Sequence, residues 1–270
     1  YHDEIARVGQ CLIEGGTSGM YEGDGDVYTY GSIATGDPAF VDTTGGDYHL
    51  SALSAAISAG TDQLSINNVT YTAPATDMDG MARPNPVGTT LDLGAYEHEN
   101  GVGPYEGPVW YVDGNEVLPY GNGSISAPYS MIGPAIGAAA NGDTVHVAAA
   151  TYVENIEFGG KNIAVIGADS SNTIIDGGDA GTVVSFDALE ATWYTTPVLK
   201  NFTLQNGKAE NGGGIYVRNT YPEISFVTVK ACSAHFGGGI HYNAGTNNSS
   251  LKNSIIRNNT GAGGGGGVFL

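Results

Sequence analysis

A chain of 270 residues with 41% hydrophobic and only 14% charged residues is too apolar to stay disordered, and we expect it to fold. Nine Lys and Arg against 28 Asp and Glu give a formal net charge of −19, which argues against nucleic-acid or anionic-membrane partners. Two cysteines exclude a disulfide framework, and without an apolar run of about 18 residues the sequence predicts no membrane span.

Residues 1–100 begin with a phrase typical of one turn of a β-solenoid. From Ile5 to Gly16, apolar residues alternate with small or polar ones, which predicts a strand. Cys11 lies in this phrase, and we expect it, like Cys232, to be a small buried hydrophobe. Short apolar pieces separated by Gly, Asp and Pro follow, and they predict an irregular but ordered closing cap.

Residues 101–108 are rich in Gly and Pro and lack periodicity, which predicts a linker. A second domain, 109–270, then begins with a strand at 110–113. Residues 130–140 carry apolar side chains close to helical spacing and predict a short helix that closes the first turn of a solenoid. Further strands are predicted at 144–147, 163–166, 173–176 and 183–186.

One sequence repeat, called a phrase here, occurs three times near the end of the chain. A strand-like run leads into a triple glycine and a second strand, starting at Leu199, Ile224 and Leu251, so the phrase recurs after 25 and then 27 residues. This period, with β-branched and aromatic residues alternating with polar ones, predicts a β-helix rather than a leucine-rich repeat. Each turn would stack on the next at about 4.8 Å.

These motifs carry a resemblance to a known superfamily. The segment from Trp110 through the triple glycines resembles the start of a right-handed parallel β-helix of the pectate-lyase-like superfamily, found in large secreted bacterial proteins. Residues 37–97 resemble the closing segment of such proteins, called a choice-of-anchor domain, through DPAFVD (37–42), GDYHL (46–50), DMDG (77–80) and LGAYE (93–97). The resemblance implies an all-β fold and an extracellular or cell-surface location. It does not specify an activity, because the superfamily includes lyases, hydrolases, adhesins and structural proteins.

The sequence does not bring candidate catalytic residues together in one site. Polysaccharide lyases on this fold use stacked acidic residues to hold Ca²⁺ and a nearby Lys or Arg to handle a proton. The corresponding stacked position holds Gln205, Lys230 and Arg257 without an acidic ladder, and we interpret it as a solvated stripe. We therefore predict no catalytic residue and no required cofactor.

Glycoside hydrolysis needs two carboxyl groups roughly 5 to 10 Å apart. Asp169, Asp176, Asp179 and Asp187 are numerous enough to supply a pair. Most of them stand beside Gly or Ser, where Asp ordinarily makes turns.

Metal ligation is the remaining chemical hypothesis. Asp77 and Asp79 resemble part of a calcium loop without matching the twelve-residue pattern, and we weigh a structural Ca²⁺ against a plain Asp-Gly turn. His235 and His241 flank a triple glycine, but the sequence places no third ligand beside them. Asn201 and Asn253 share one repeat position, and we expect such asparagines to bond to backbone groups at corners.

The order of the segments suggests self-assembly, because a closing cap precedes a new solenoid. The chain starts at Tyr1 rather than Met, which suggests a processed product or a piece of a longer protein. We expect a homo-oligomer or filament, formed when the first turn of one molecule receives the last turn of another. The residues assigned to this contact are Ile5, Val8, Leu12, Ile13, Val268, Phe269 and Leu270.

The predicted function is that of an extracellular structural or surface protein acting by self-association or adhesion. The alternative is a polysaccharide lyase or hydrolase, or a glycan-binding module, that uses the face of the solenoid. Bound uronate, or an acidic cluster beside Arg218 or Arg257, would favour that alternative.

Overall fold

The structure is a computed structural model, and it describes residues 5–13, 26–35, 38–66, 68–116, 121–188, 195–243 and 248–270, with side chains from residue 38 onward. Two compact units are present, Tyr1–Tyr105 with Val117–Asn122, and Glu106–Glu116 with Gly123–Leu270. No helix in the described part of the chain is long and apolar enough to cross a membrane.

The first unit begins with two paired strands. β1 (Ile5–Ile13) lies parallel to β2 (Asp26–Thr35), and the register shifts between Gly9 and Cys11, where β2 has one extra residue and forms a bulge. The sequence pattern predicts β1 but not β2. Cys11 lies in β1, and its side chain is outside the described part of the structure.

The rest of the first unit consists of short strands and turns. β3 (Phe40–Asp42) pairs antiparallel with β4 (Asp47–Leu50), and β5 (Gln63–Ile66) pairs antiparallel with β6 (Val69–Thr72). A small apolar core contains Leu50, Ala56, Ile57 and Leu93. The predicted irregular, β-rich structure of this segment is therefore confirmed, and its role as a closing cap stays a prediction.

The second unit is a parallel β-solenoid of about four turns, as predicted. Its elements in chain order are β7 Val109–Val112, α1 Ile132–Ala138, β8 Thr144–Val147, β9 Thr151–Val153, β10 Ile156–Glu157, β11 Ala164–Gly167, β12 Ile174–Asp176, β13 Val184–Asp187, β14 Val198–Gln205, β15 Lys208–Asn211, β16 Ile215–Arg218, β17 Glu223–Lys230, β18 Ser233–Phe236, β19 Ile240–Tyr242, β20 Ser250–Lys252, β21 Ile255–Arg257, β22 Thr260–Gly261 and β23 Val268–Phe269.

Three parallel sheets form the walls of the solenoid. The first has nine strands, with β7, β8, β11, β14, β17 and β20 in spatial order and β9, β12 and β21 joined beside them. The second contains β10, β13, β16, β19 and β23, and the third contains β15, β18 and β22. The predicted strands at 144–147, 163–166, 173–176 and 183–186 correspond to β8, β11, β12 and β13.

Like residues stack in columns inside the solenoid, because each turn repeats the register of the turn before it. One column of the first sheet runs through Trp110, Val145, Val165, Leu199, Ile224 and Leu251. A column of the second sheet runs through Ile156, Val184, Ile215, Ile240 and Val268. Burial of such columns removes apolar area from water in each turn and stabilises the unit.

The corners need residues that adopt left-handed backbone conformations. Asn201, Phe226 and Asn253 share one corner, with φ of 64°, 54° and 50°. The Asn201 side chain donates to the Gly167 carbonyl at 3.1 Å, which is the backbone role predicted for these asparagines. Gly237, with φ of 64°, opens a triple-glycine corner, where the left-handed conformation favours glycine.

Helix α1 lies against β7, β8 and β10, as predicted for a cap. Two side chains from the adjacent turn hold its ends. Glu154 accepts the backbone N–H groups of Ile132 at 2.8 Å and Gly133 at 2.9 Å. The Lys161 ammonium donates to the last carbonyls of the helix, those of Ile136, Gly137 and Ala139, at 2.6 to 2.8 Å. These contacts satisfy backbone groups that a short helix otherwise leaves unpaired.

Candidate functional site

The interior columns end on an exposed surface at the last turn. Leu251 is 36% exposed, whereas Ile224, one turn earlier in the same column, is 0% exposed. Val268 is 40% exposed, whereas Ile240 before it is 0% exposed. Leu270 is 88% exposed. The last turn therefore presents an apolar surface that every earlier turn covers with the turn that follows it.

The strands of the last turn also have a free edge. Within the described residues, β20 and β21 pair only with β17, β22 pairs only with β18, and β23 pairs only with β19. Unpaired strand edges carry rows of N–H and C=O groups that are templates for a further strand. We name β20, β21, β22, β23 and Leu270 together the open turn.

An aromatic group lies outside the core, where the second and third sheets meet the open turn. His241 is 8% exposed and packs between Tyr216, at a ring separation of 5.5 Å, and Phe269 at 5.1 Å. Burial lowers the pKa of His241, and its Nδ1 atom has no hydrogen-bond partner. Phe236 also contacts the Phe269 ring, at 5.0 Å. His235 and His241 thus belong to an aromatic stack, and no group of three or more metal-ligating side chains occurs in the described residues.

The residues predicted for self-assembly lie in two places. Ile5, Val8, Leu12 and Ile13 belong to β1, whose side chains are not described. Val268 and Phe269 form β23 at the edge of the second sheet, and Leu270 follows them. The second of these places coincides with the open turn.

The register confirms the predicted stripe on the outer face of the first sheet. Asp176, Gln205, Lys230 and Arg257 occupy successive positions of one column. The carboxylate of Asp176 accepts hydrogen bonds from the side-chain amides of Gln205 and Asn206, both at 2.8 Å, and these bonds help to lower its pKa despite partial burial. The side chains that donate hydrogen bonds to Asp176 are therefore amides, and its hydrogen bonds do not involve a second carboxylate.

The other three candidate carboxylates have structural contexts of their own. Asp187 forms a paired contact with Arg218, with one N–O distance of 2.8 Å and the other of 2.5 Å. Asp169 accepts the Ser171 backbone N–H at 2.7 Å within a turn, and Asp179 adopts a left-handed conformation with φ of 57°. These contacts are those of turns and of an ion pair, as expected for Asp residues beside Gly or Ser.

Asp77 and Asp79 have different partners in the first unit. The Asp77 carboxylate accepts three backbone N–H groups, those of Asp79, Met81 and Glu97, at 2.8 to 3.1 Å. Asp79 bonds instead to His49 Nε2 at 2.6 Å, while His49 Nδ1 contacts Asp47 at 2.5 Å. Asp79 and then Asp47 raise the pKa of His49. The Asp77 contacts are those of an Asp-Gly turn, and calcium at this loop stays a prediction.

A buried ion pair in the first unit is not evident from the sequence pattern. Arg83 Nε donates to Glu97 at 2.7 Å, and the two side chains are 9% and 0% exposed. Arg83 also donates to the Asp92 carbonyl at 2.9 Å. The Asp92 carboxyl is 2% exposed, and burial raises its pKa to about 6. Because the Glu97 backbone N–H also donates to Asp77, at 3.1 Å, these contacts join the DMDG and LGAYE segments, which suggests that those motifs serve the structure of the unit.

One cleft of the second unit lies on the outer face of the first sheet, near its start. It has a volume of about 290 Å³ and includes Tyr111, Asp113, Ile125, His146 and Ile166 in its lining. The Tyr111 and His146 rings stack at 5.9 Å with an interplanar angle of 26°. Such a surface offers an aromatic face with polar groups at its rim.

Cys232 occupies the interior, as predicted. It is 2% exposed, its sulfur accepts the Gly207 backbone N–H at 3.4 Å, and burial raises the pKa of the thiol to about 11. A thiol with so high a pKa is a poor nucleophile at neutral pH.

Comparison with known proteins does not add a relative. No protein-family model, no curated protein and no solved structure matches the chain. The solenoid fold is therefore shown by the parallel register of its strands, and the pectate-lyase-like superfamily stays a prediction from the motifs.

Proposed function

We propose that this chain is a structural protein of the cell surface or extracellular space that works by self-association through its open turn. The observation that carries the proposal is the exposure of the interior columns at Leu251 and Val268, at 36% and 40%. Apolar area removed from water contributes about 25 cal/mol per Å², so covering these columns favours association. The free edges of β20 to β23 add backbone hydrogen bonds to the same contact.

The second unit favours a head-to-tail contact. Its first turn is closed by α1 with the bonds from Glu154 and Lys161, so it offers no equivalent surface. A partner strand must come from elsewhere, and β1 of a second copy is the candidate, since it already forms a parallel pair with β2. A head-to-tail contact that does not close into a ring generates a filament.

The composition supports a location outside the cell, as does the resemblance to secreted bacterial proteins. The excess of acidic residues keeps such a chain soluble and repels non-specific anionic partners. The aromatic stack at Phe269 gives the open turn additional packing area beside the apolar columns.

Sedimentation velocity of the full chain over a wide concentration range tests the proposal. We expect the wild-type chain to form larger species as concentration rises and Val268→Lys to shift this transition to at least tenfold higher concentration, because it places a charge in a buried contact. Val153→Lys is the matched control, since Val153 is 71% exposed on the first sheet far from the open turn. A wild-type chain that is monomeric throughout, or equal effects of both variants, would refute the proposal.

A second candidate function is binding of a polysaccharide along the outer face of the first sheet. The cleft at Tyr111 and His146 favours it, because sugar rings stack on aromatic faces. Titration calorimetry with neutral and acidic oligosaccharides tests this candidate. Binding that is lost in Tyr111→Ala and kept in Tyr105→Ala would support it, and heats equal to dilution for every sugar would exclude it for those sugars.

A further inference from the structure

The cleft at Tyr111 and His146 lies over two columns of outward-facing residues. Tyr111, His146 and Ile166 occupy successive positions of the first column. Asp113 follows Tyr111 by two residues on the same face, and the next turn places the small Ala148 beside it. Residues two apart on a strand have Cα atoms about 7 Å apart, so one sugar ring on Tyr111 can place a substituent at the Asp113 carboxylate.

Asp113 has one carboxylate oxygen available to a ligand. Its Oδ1 atom accepts the backbone N–H of Asn115 at 2.9 Å and the Asn115 side-chain amide at 3.0 Å. Its Oδ2 atom has no hydrogen bond within the described residues. The carboxylate is therefore held in place and can accept a further donor, and a positively charged donor forms a stronger bond than a neutral one.

The surroundings of the cleft are acidic. Residues 106–188 contain ten acidic residues and a single Lys or Arg, which is Lys161. The Lys161 ammonium bonds to carbonyls at the end of α1, and of the described residues that line the cleft only His146 can gain positive charge. Lys200 continues the Tyr111 column beyond the cleft, and its ammonium lies 5.6 Å from the centre of the Phe226 ring in the following turn. The cleft therefore attracts a cationic ligand and repels an anionic one.

The rest of the lining fits the face of a sugar ring. The Tyr111 and His146 rings are stacked, and Ile125 and Pro128 add apolar surface from the segment 123–129. Ile125 is 75% exposed, so a ligand in the cleft would cover it. Tyr111 also attracts a cation placed over its ring. The cleft thus combines a surface for a sugar ring with a carboxylate for a positively charged substituent.

From this combination we infer that the cleft binds an oligosaccharide of amino sugars whose amines are free and protonated. The amine donates to Oδ2 of Asp113 while the sugar ring packs on Tyr111. This inference rests on the second candidate function and specifies its class of ligand. Acetylation of the amine removes the positive charge and a uronic acid reverses it, so both changes weaken binding.

Titration calorimetry of the full chain with three trisaccharides tests the class of ligand. We expect the glucosamine trimer to bind about tenfold more tightly than the N-acetylglucosamine trimer, and the galacturonate trimer to give only heats of dilution. Butylamine has the charge without the sugar ring, and we expect it to bind about tenfold more weakly than the glucosamine trimer. An acetylated sugar, an acidic sugar or butylamine that binds as tightly as the glucosamine trimer would overturn the inferred class.

Asp113→Asn tests the contact, because it removes the charge and keeps an oxygen for the Asn115 N–H. We expect it to weaken binding of the glucosamine trimer by about threefold to tenfold and to leave binding of the acetylated trimer within about twofold of wild type. Asp179→Asn is the matched control, since it changes the net charge equally at an exposed residue that does not line the cleft. Circular dichroism checks that both variants are folded.

The outcomes separate this inference from the function on which it rests. Equal effects of Asp113→Asn and Asp179→Asn would overturn the Asp113 contact and leave glycan binding intact. Heats equal to dilution for all three trisaccharides would overturn both the inferred ligand and the second candidate function for these sugars.

Discussion

The two ends of the solenoid are built from the same repeat but end in different ways. At the first end, Ile132 of α1 and Trp110 of β7 are 0% and 4% exposed. At the other end, Leu251 and Val268 are 36% and 40% exposed. The difference teaches that the repeat alone does not cover the end of its interior columns, and that at the first turn a helix does so.

Specific side chains hold the helix that covers the first turn, whereas the open turn consists only of repeated strands. Glu154 and Lys161 hold α1 at both ends, and each comes from the turn beneath the helix. The open turn instead offers apolar columns and free strand edges. The helix therefore covers the interior columns of the first turn, whereas the strands of the open turn have edges that can pair with a further strand.

The largest expected difference in stability is between alanine substitutions of two leucines in one column. Leu199→Ala should destabilise the second unit by about 2–5 kcal/mol, because Leu199 is 0% exposed and covered on both sides. Leu251→Ala in the open turn should cost less than about 1 kcal/mol in dilute solution. Urea denaturation of the two variants measures both values, and equal costs would mean that the open turn is as well covered as the middle of the solenoid.

Removing the clamp on α1 should open the first end. Lys161→Met deletes three charge-assisted hydrogen bonds to helix carbonyls and should cost about 2–3 kcal/mol. Lys208→Met, at an exposed strand position, should change stability by less than about 0.5 kcal/mol. Hydrogen exchange over residues 132–138 reports the opening directly, and unchanged protection there would show that packing alone holds the helix.

Acidic pH should destabilise the turn that precedes the open turn, and this is the smallest of the three expected changes in stability. Burial lowers the pKa of His241 in the folded chain, so its stabilising contribution is present above its unfolded value of about 6.5 and is lost as pH falls below that value. His241→Phe should remove this part of the pH dependence. Thermal unfolding on both sides of that pH compares the two chains, and identical pH profiles would show that His241 does not titrate within the fold.

Prediction from the sequence found the elements whose signals lie within a few neighbouring residues. The alternation at Thr144–Val147 and the repeats from Leu199 onward predicted strands that the structure contains, because strand periodicity and corner residues act over a few positions. It missed β2 and the two residues that clamp α1. Those features depend on partners about 20 residues away, and nothing in the local pattern names the partner.

The candidate site was predicted only in part, for the same reason. The sequence indicated Val268 and Phe269 as an assembly edge, but it did not indicate that Leu251 belongs to the same surface. Leu251 lies on that surface because its column, which runs through Ile224, and the column of Val268, which runs through Ile240, end in the same turn. The Arg83 and Glu97 pair likewise joins two residues that are 14 positions apart and that no local pattern connects.

Hydrogen exchange of the wild-type chain as a function of its concentration tests the central claim most directly. The account predicts that backbone amides of β20 and β21 gain protection as concentration rises, because a second copy pairs with their free edge, while amides of α1 stay constant. Protection that does not change with concentration in β20 and β21, in samples that do associate, would contradict the claim that the open turn is the contact.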